Sequence, residues 1–345
     1  MAQPSEIYVD PSIAGDSGTG TVGDPFGDLE YGIEQTTFDT TNGTRVNIKA
    51  GTDEVVAVEI SAAMADTGTT VAWAPTITTP CIFQGYTTAA GDGGKGGISG
   101  GGSVSVYDDA AFDYVFFIDL HCHNTGSATV IRTDDECGVF RCEIDNTSGN
   151  GIQVDRGLVI GNYVHNVGGE AIRIVFSGNI MFNYIENGTN DCDIALRAGN
   201  AGVVYRNIVK IDGASNGIHP TDRQVIMHNS VWSAGGTGQG IAQVNNVEIQ
   251  MISNNLIEGF SGTGGVGYDL NGTNQSVDVY TANASYDNAT HYTGPSYYVD
   301  RWASSDTNET LSASPFTDAT NGDFSPVDTG SVKEGSLPED FGDGQ

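Results

Sequence analysis

Five residues in the middle of this 345-residue chain have types and spacing suited to chemistry on a sugar chain. They are Asp155, Arg173, Asp193, Arg197 and His219. An arginine or a histidine can take a proton, and an aspartate beside it can steady the resulting charge, in β-elimination or in hydrolysis. Their neighbours Gly151, Ala171 and Gly217 are small and would leave a shallow trough around Arg173. The competing reading is a solvated ladder of ion pairs, each worth little to stability.

Two other groups invite a metal. His121 and His123 flank Cys122; on a strand the two imidazoles share one face and the thiol takes the other. Two ligands do not close a zinc site, so no metal is assigned there. Asp10, Asp16 and Asp24 lie in an acidic N-terminal loop that offers oxygen ligands of the kind Ca²⁺ takes. Their spacing is not that of an EF-hand, and the expectation is a chain without a cofactor. The five cysteines, Cys81, Cys122, Cys137, Cys142 and Cys192, form no CxxC pair and read as small core residues.

The elements that must position these side chains follow from a repeat. Asn162-Tyr-Val, Asn183-Tyr-Ile, Asn207-Ile-Val, Asn229-Ser-Val and Asn255-Leu-Ile align at spacings of 21, 24, 22 and 26 residues. Cys142-Glu-Ile and Leu120-His-Cys extend the column backwards by 20 and 22. A second column runs through Ile152, Ile172, Ile194, Ile218, Ile241 and Tyr268, and a third through Val159, Ile180, Val204, Ile226 and Ile252. Three short strands per repeat, with no helix between them, describe one coil of a parallel β-helix. The handedness of parallel crossovers makes it right-handed.

In this alignment Ile172, Ile194 and Ile218 point inward, and Arg173, Ala195 and His219 point out. The column Asn162, Asn183, Asn207, Asn229 and Asn255 reads as structural. An inward asparagine at a tight bend satisfies the backbone groups that the bend leaves unpaired, and stacked amides bond one another. Beside the third column run Ile160, Met181, Tyr205 and Met227. Adjacent apolar residues on a strand face opposite ways, so this outer stripe calls for a cover. The candidates are the chain's own tail and a second subunit, with a homotrimer favoured.

The expected organisation is an opening segment and cap over 1–45, a β-helix over 46–299 and an irregular covering tail over 300–345. Asp28 is placed to cap a short helix carrying Leu29 and Ile33. The Gly-rich stretch 86–104 reads as a long loop. Acidic residues number 44 against 13 basic, for a net charge of −31. Such a surface repels nucleic acid and anionic membranes, and disfavours polyanionic glycans unless a local basic site compensates. No apolar run approaches the about 20 residues of a membrane span, and the N-terminus lacks the pattern of a signal peptide.

Several phrases resemble the pectin-lyase-like parallel β-helix superfamily. They are Ile7-Tyr-Val-Asp-Pro11 with Pro25-Phe26, then Gly43-Thr-Arg-Val-Asn-Ile-Lys-Ala-Gly51, Phe83-Gln-Gly-Tyr86, and Ser314-Pro-Phe316 with Asn321-Gly-Asp-Phe324. The resemblance implies the fold over nearly the whole chain. Functionally it spans polysaccharide lyases, glycoside hydrolases, phage tailspikes and non-enzymatic virion proteins. The Asn-Thr-Asp, Gly-His-Gly and Arg-Ile-Lys signatures of the polygalacturonases have no counterpart here. The reading that follows is a phage virion protein, a tailspike-like or capsid-decoration β-helix assembled with other virion proteins. The alternative is a polysaccharide lyase or glycoside hydrolase working on a glycan in the groove around Arg173.

Overall fold

Short β-branched runs separated by Gly, Asn and Asp turns can bury their side chains only by stacking, and the chain does so as a parallel β-solenoid. The computed structural model describes residues 3–57, 59–65, 73–102, 104–108, 112–145, 148–187, 194–242, 248–270, 276–294 and 309–327. Two compact units, Met1–Tyr163 and Val164–Gln345, are each built of such coils. Helix is confined, among the described residues, to Leu29–Gln35, Ile60–Ala65 and a 3-10 turn at Ala319–Asn321. The first is capped as expected, with the Asp28 carboxylate accepting the Tyr31 N–H at 2.7 Å. Leu29 and Ile33 are fully buried.

In the first unit a parallel ladder runs from Ser5–Val9 through Thr44–Lys49, Cys81–Tyr86, Val115–Ile118 and Cys137–Phe140 to Ile152–Ile160. A second ladder joins Glu54–Val55, Gly96–Ser99, Leu120–His123 and Glu143–Asp145. The Gly-rich stretch is therefore only partly a loop. The carboxylate of Asp92 accepts the backbone N–H groups of Thr87, Thr88, Ala89 and Gly94, and this ordered turn delivers the chain into Gly96–Ser99. Glycine suits that strand because the coils approach closely. A Cβ on Gly96 would lie 2.4 Å from the Ile48 carbonyl oxygen.

The second unit has three ladders. One stacks the start of Glu170–Met181 on Ile194–Ala198, Asn216–Pro220, Gln239–Ala242, Val266–Asp269 and Thr290–Thr293. The end of Glu170–Met181 stacks on Ala201–Tyr205, Gln224–Met227, Glu248–Ser253 and Ser276–Thr281. The third ladder runs Tyr184–Asn187, Ile208–Ile211, Ser230–Ser233, Leu256–Glu258, Ala284–Tyr286 and Glu309–Thr310. Like stacks on like in the core: Ile180, Val204, Ile226 and Ile252 are in register and fully buried. The rings of Tyr268 and Tyr292 stack at 5.1 Å.

In the second unit Asn183, Asn207, Asn229 and Asn255 stack at one bend, in the first Asn162 turns a bend of its own, and each asparagine follows a residue in the left-handed region. Those residues are Gly161, Phe182, Arg206, His228 and Asn254, with φ between 52° and 70°. A non-glycine residue pays about 1–2 kcal/mol for that conformation. The bonds that the turn makes available offset it. Asn207 Oδ1 accepts both the backbone N–H and the side-chain N–H of Asn183 at 3.0 Å. Its own Nδ2 donates to the Ile180 carbonyl at 2.9 Å and to Asn229 Oδ1 at 3.0 Å. Asn229 and Asn255 repeat the pattern, and Asn283 carries it one coil further. In the first unit Asn162 accepts from Cys142 N at 2.8 Å and donates to the Val139 carbonyl at 3.0 Å. Cys142 and Leu120 occupy the same column there, both buried.

The tail covers an apolar face, but a different one from the outer stripe of Ile160, Met181, Tyr205 and Met227. Leu311, Phe316, Ala319 and Phe324 pack on Ile208, Trp232 and Leu256, with Tyr184 and Tyr286 at the margin. These belong to the outer side of the third ladder. Among the described residues this cluster includes none of Met181, Tyr205 and Met227, which remain half-buried, as does Ile160 in the first unit. Four cysteines, Cys81, Cys122, Cys137 and Cys142, are buried and unbridged. Cys192 lies outside the described residues.

Candidate functional site

The trough residues come together through strand register. Ile172 faces Leu196 and Leu196 faces Ile218 on successive parallel strands, all three fully buried. Arg173 therefore faces Arg197, and Arg197 faces His219, in one outward line. The sequence alignment had placed Ile194 in this column and Ala195 beside Arg173. The strand instead sits two residues along, with Ile194 opposite Glu170. A slip of two keeps every side chain on its own face, so the hydrophobic pattern alone does not detect it. The slip brings Arg197, and not Ala195, between Arg173 and His219. Of the small residues expected around Arg173, Ala171 and Gly217 are buried and Gly151 belongs to the first unit.

The residue that ties this line together is Glu170, which the motif reading passed over. Its carboxylate is nearly buried, and each oxygen faces a different guanidinium. Oε1 accepts from Arg197 Nη1 at 2.7 Å, and Oε2 pairs with Arg173 Nη1 at 3.3 Å. The signal was available as an acidic residue three positions before Arg173. The two arginine side chains remain about one-third exposed, at 31% and 35%, so both keep a face for a ligand.

His219 completes the line. Burial, reinforced by the Arg197 charge, holds its pKa below the ordinary histidine value, so the ring is neutral near pH 7. Its Nδ1 is buried and has no hydrogen-bond partner among the described residues. Two coils further along, Asp269 is held by the Thr293 hydroxyl at 2.5 Å and by the Gln239 amide. Asp155 belongs to the first unit, on Ile152–Ile160, and is half-buried. Asp193 lies outside the described residues. The arrangement offers two cations that can hold an acidic group and one neutral imidazole that can accept a proton.

The acidic N-terminal loop is differently employed. Asp10 takes the Lys49 ammonium at 2.6 Å and the Ser12 N–H and hydroxyl at 3.1 and 2.5 Å. Asp16 and Asp24 are exposed.

Comparison with known proteins gives a fold and no family. No family model matches the chain, and no curated protein matches it. Among solved structures, the GH136 lacto-N-biosidase from Eubacterium ramulus superposes with a TM-score of 0.56 at 14% identity, over 89% of this chain and 68% of that one. The pectate lyase Pel9A aligns with a TM-score of 0.44 at 12% identity, over 100% of this chain and 91% of that one. At 14% identity the likeness to the lacto-N-biosidase shows the fold alone, the parallel β-helix expected from the sequence. Nothing in these comparisons supports the expected virion role.

Proposed function

We propose that the chain is a glycan-cleaving β-helix protein that acts on a uronate-bearing polysaccharide by β-elimination at the Arg173–Arg197–His219 line. The observation that carries this reading is the register placing two partly exposed arginines beside a neutral imidazole. On a protein of net charge −31 these residues supply the local positive site that an acidic sugar requires. Arg173 and Arg197 would hold the uronate carboxylate and so acidify the proton on the adjacent ring carbon. His219 would remove that proton. The C–H electron pair forms the new ring double bond, the bond to the glycosidic oxygen breaks, and that oxygen takes up a proton to leave as a hydroxyl. Hydrolysis by a carboxylate pair fits less well, because Glu170 is already occupied by both arginines.

The test is a panel of purified uronate polysaccharides followed by ultraviolet absorbance of the unsaturated product. Activity that disappears in His219→Ala and falls steeply in Arg197→Gln supports the reading. Reducing ends without the chromophore would assign hydrolysis instead. Unchanged turnover in both variants would remove the site.

A further inference from the structure

A second cluster lies on the outer face of the first unit, on Gly96–Ser99, Leu120–His123 and Glu143–Asp145. Parallel register sets Gly97 opposite His121 and His121 opposite Glu143; it likewise sets Ser99 opposite His123 and His123 opposite Asp145. The intervening Ile98, Cys122 and Ile144 point into the core and are fully buried. Strand alternation therefore throws His121, His123, Glu143 and Asp145 onto one surface. Their rigid positions are set by the ladder and not by a loop.

The side chains converge. His121 Nε2 lies 3.2 Å from Asp145 Oδ2, and one ligand atom from each of His121, Glu143 and Asp145 falls within 4.8 Å of the others. The His121 and His123 rings stack at 5.3 Å. His123 Nε2 is bonded in turn to Asp53 at 3.0 Å. Asp53 reaches it through space that Gly97 leaves open, since a Cβ there would lie 1.8 Å from Asp53 Oδ1. A cation already lies against the cluster: the Lys95 ammonium is 2.9 Å from Glu143 Oε2, on a side chain that is 45% exposed.

We propose that His121, Glu143 and Asp145 form a binding site for a divalent transition metal, with Lys95 as the cation it displaces. One imidazole and two carboxylates are ligands zinc accepts, at about 2.0–2.2 Å from the ion. Zinc bonds of about 2.0–2.2 Å require the three donor atoms, which lie within 4.8 Å of one another, to close up by side-chain rotation. The imidazole favours zinc, nickel or copper over calcium, which takes oxygen ligands. Asp53 and His123 stand as the neighbouring pair that holds the stacked ring of His121 in place. The fourth position faces solvent, because the side chains of His121 and Asp145 are 29% and 20% exposed.

Reading His121 and His123 as a bare pair misses this site, because the two carboxylates arrive from the next coil, some 20 residues along. The strand Glu143–Asp145 presents its acids at the same alternation at which Leu120–His123 presents its histidines.

The experiment is calorimetric titration of zinc chloride into the untagged, chelator-treated full chain, with cobalt absorption as a second readout of the coordination sphere. One equivalent should bind. His121→Ala and Asp145→Asn should each weaken binding by about tenfold or more, a loss at least as large as removal of a ligand's supporting partner. Lys95→Ala should tighten it by removing the competing ammonium. Melting of each variant without metal checks that it folds, and Asp145→Asn carries the test if His121→Ala does not. No saturable binding, or binding that survives both ligand substitutions, or weaker binding in Lys95→Ala, would overturn the proposal.

Discussion

Arg197 faces His219 directly across one step of a parallel ladder, and its charge adds to burial in keeping that imidazole neutral. If His219 is the base, this pairing fixes the pH dependence of turnover. The reactive form is the unprotonated ring. Activity should therefore hold as pH falls through the ordinary histidine range and be lost only below it. Arg197→Gln removes the repulsion, so the acid limb should move upward in pH while kcat falls. A pH–rate profile of the two proteins decides the matter; coincident acid limbs would separate Arg197 from the titration.

Glu170→Gln probes the other side of the same line. The carboxylate holds Arg197 at 2.7 Å and Arg173 at 3.3 Å. With the charge removed, both guanidiniums lose an anionic partner while the amide keeps the shape. The variant should bind uronate oligosaccharide more tightly and turn it over more slowly, because the arginines are no longer held in place. A fall in KM together with a fall in kcat is the expected signature; a uniform loss of stability without it would make Glu170 a purely structural residue.

The asparagine ladder can be tested without any substrate. Asn207→Ala takes the Asn207 amide away from the Ile180 carbonyl and from the Asn183 backbone N–H, and leaves Asn183 Nδ2 with the Met181 carbonyl. The residue is fully buried. The cost should be about 1–3 kcal/mol, the penalty of stranded buried polar groups. Chemical denaturation gives the number, and an unchanged midpoint would mean that the ladder contributes nothing net.

The parts of this fold that were legible in the sequence are those in which one side chain does one job at every coil. The asparagines recur because each closes the same left-handed bend, and their spacing announces the coil. Asn283 escaped because the pattern asked for an apolar residue two positions later. Ser285 stands there instead, pointing inward and bonded to His291 and Asn288. Arg197 was misplaced because a two-residue slip does not change which face is apolar. Glu143 and Asp145 were not joined to His121 because register between coils decides that meeting, and a histidine pair carries no information about register. The tail's target was hidden for a similar reason. Tyr184, Ile208, Trp232 and Leu256 do not form a simple alternating stripe, since Ile208 is followed in its own ladder position by Ser230.

The tail makes its own prediction. Phe324 is buried against Phe316, with ring centroids 5.1 Å apart, and against Tyr184 at 6.3 Å. Ser314 adds a hydrogen bond to Glu258 Oε2 at 2.8 Å. Phe324→Ala should cost about 3–5 kcal/mol if the tail unfolds with the coils it covers. If the tail can lift alone, the loss is confined to it. Amide exchange then accelerates over 309–327 while the coils keep their protection. Exchange followed by mass spectrometry distinguishes the two, and no change in either region would show that the contact is not stabilising.

Glu54 supplies the final test, through the pH dependence of stability. It is buried at the start of the short helix, where it accepts the Leu29 N–H. Burial, with the nearby charges of Asp28 and Glu30, raises its pKa from the usual carboxylate range to about 7. The folded state therefore favours the protonated form. Below the unfolded pKa both states are protonated, and the group carries no penalty. As pH rises from there toward 7, the unfolded chain ionises first and stability is lost; above 7 the penalty is constant. A shift of this size corresponds to about 3 kcal/mol at most. Glu54→Gln keeps an acceptor for Leu29 without the charge. It should raise the melting temperature at pH 8 and leave it unchanged near pH 4. Equal stabilisation at both values would attribute the effect to packing, and a lower melting temperature at pH 8 would show that the carboxylate is stabilising where it sits.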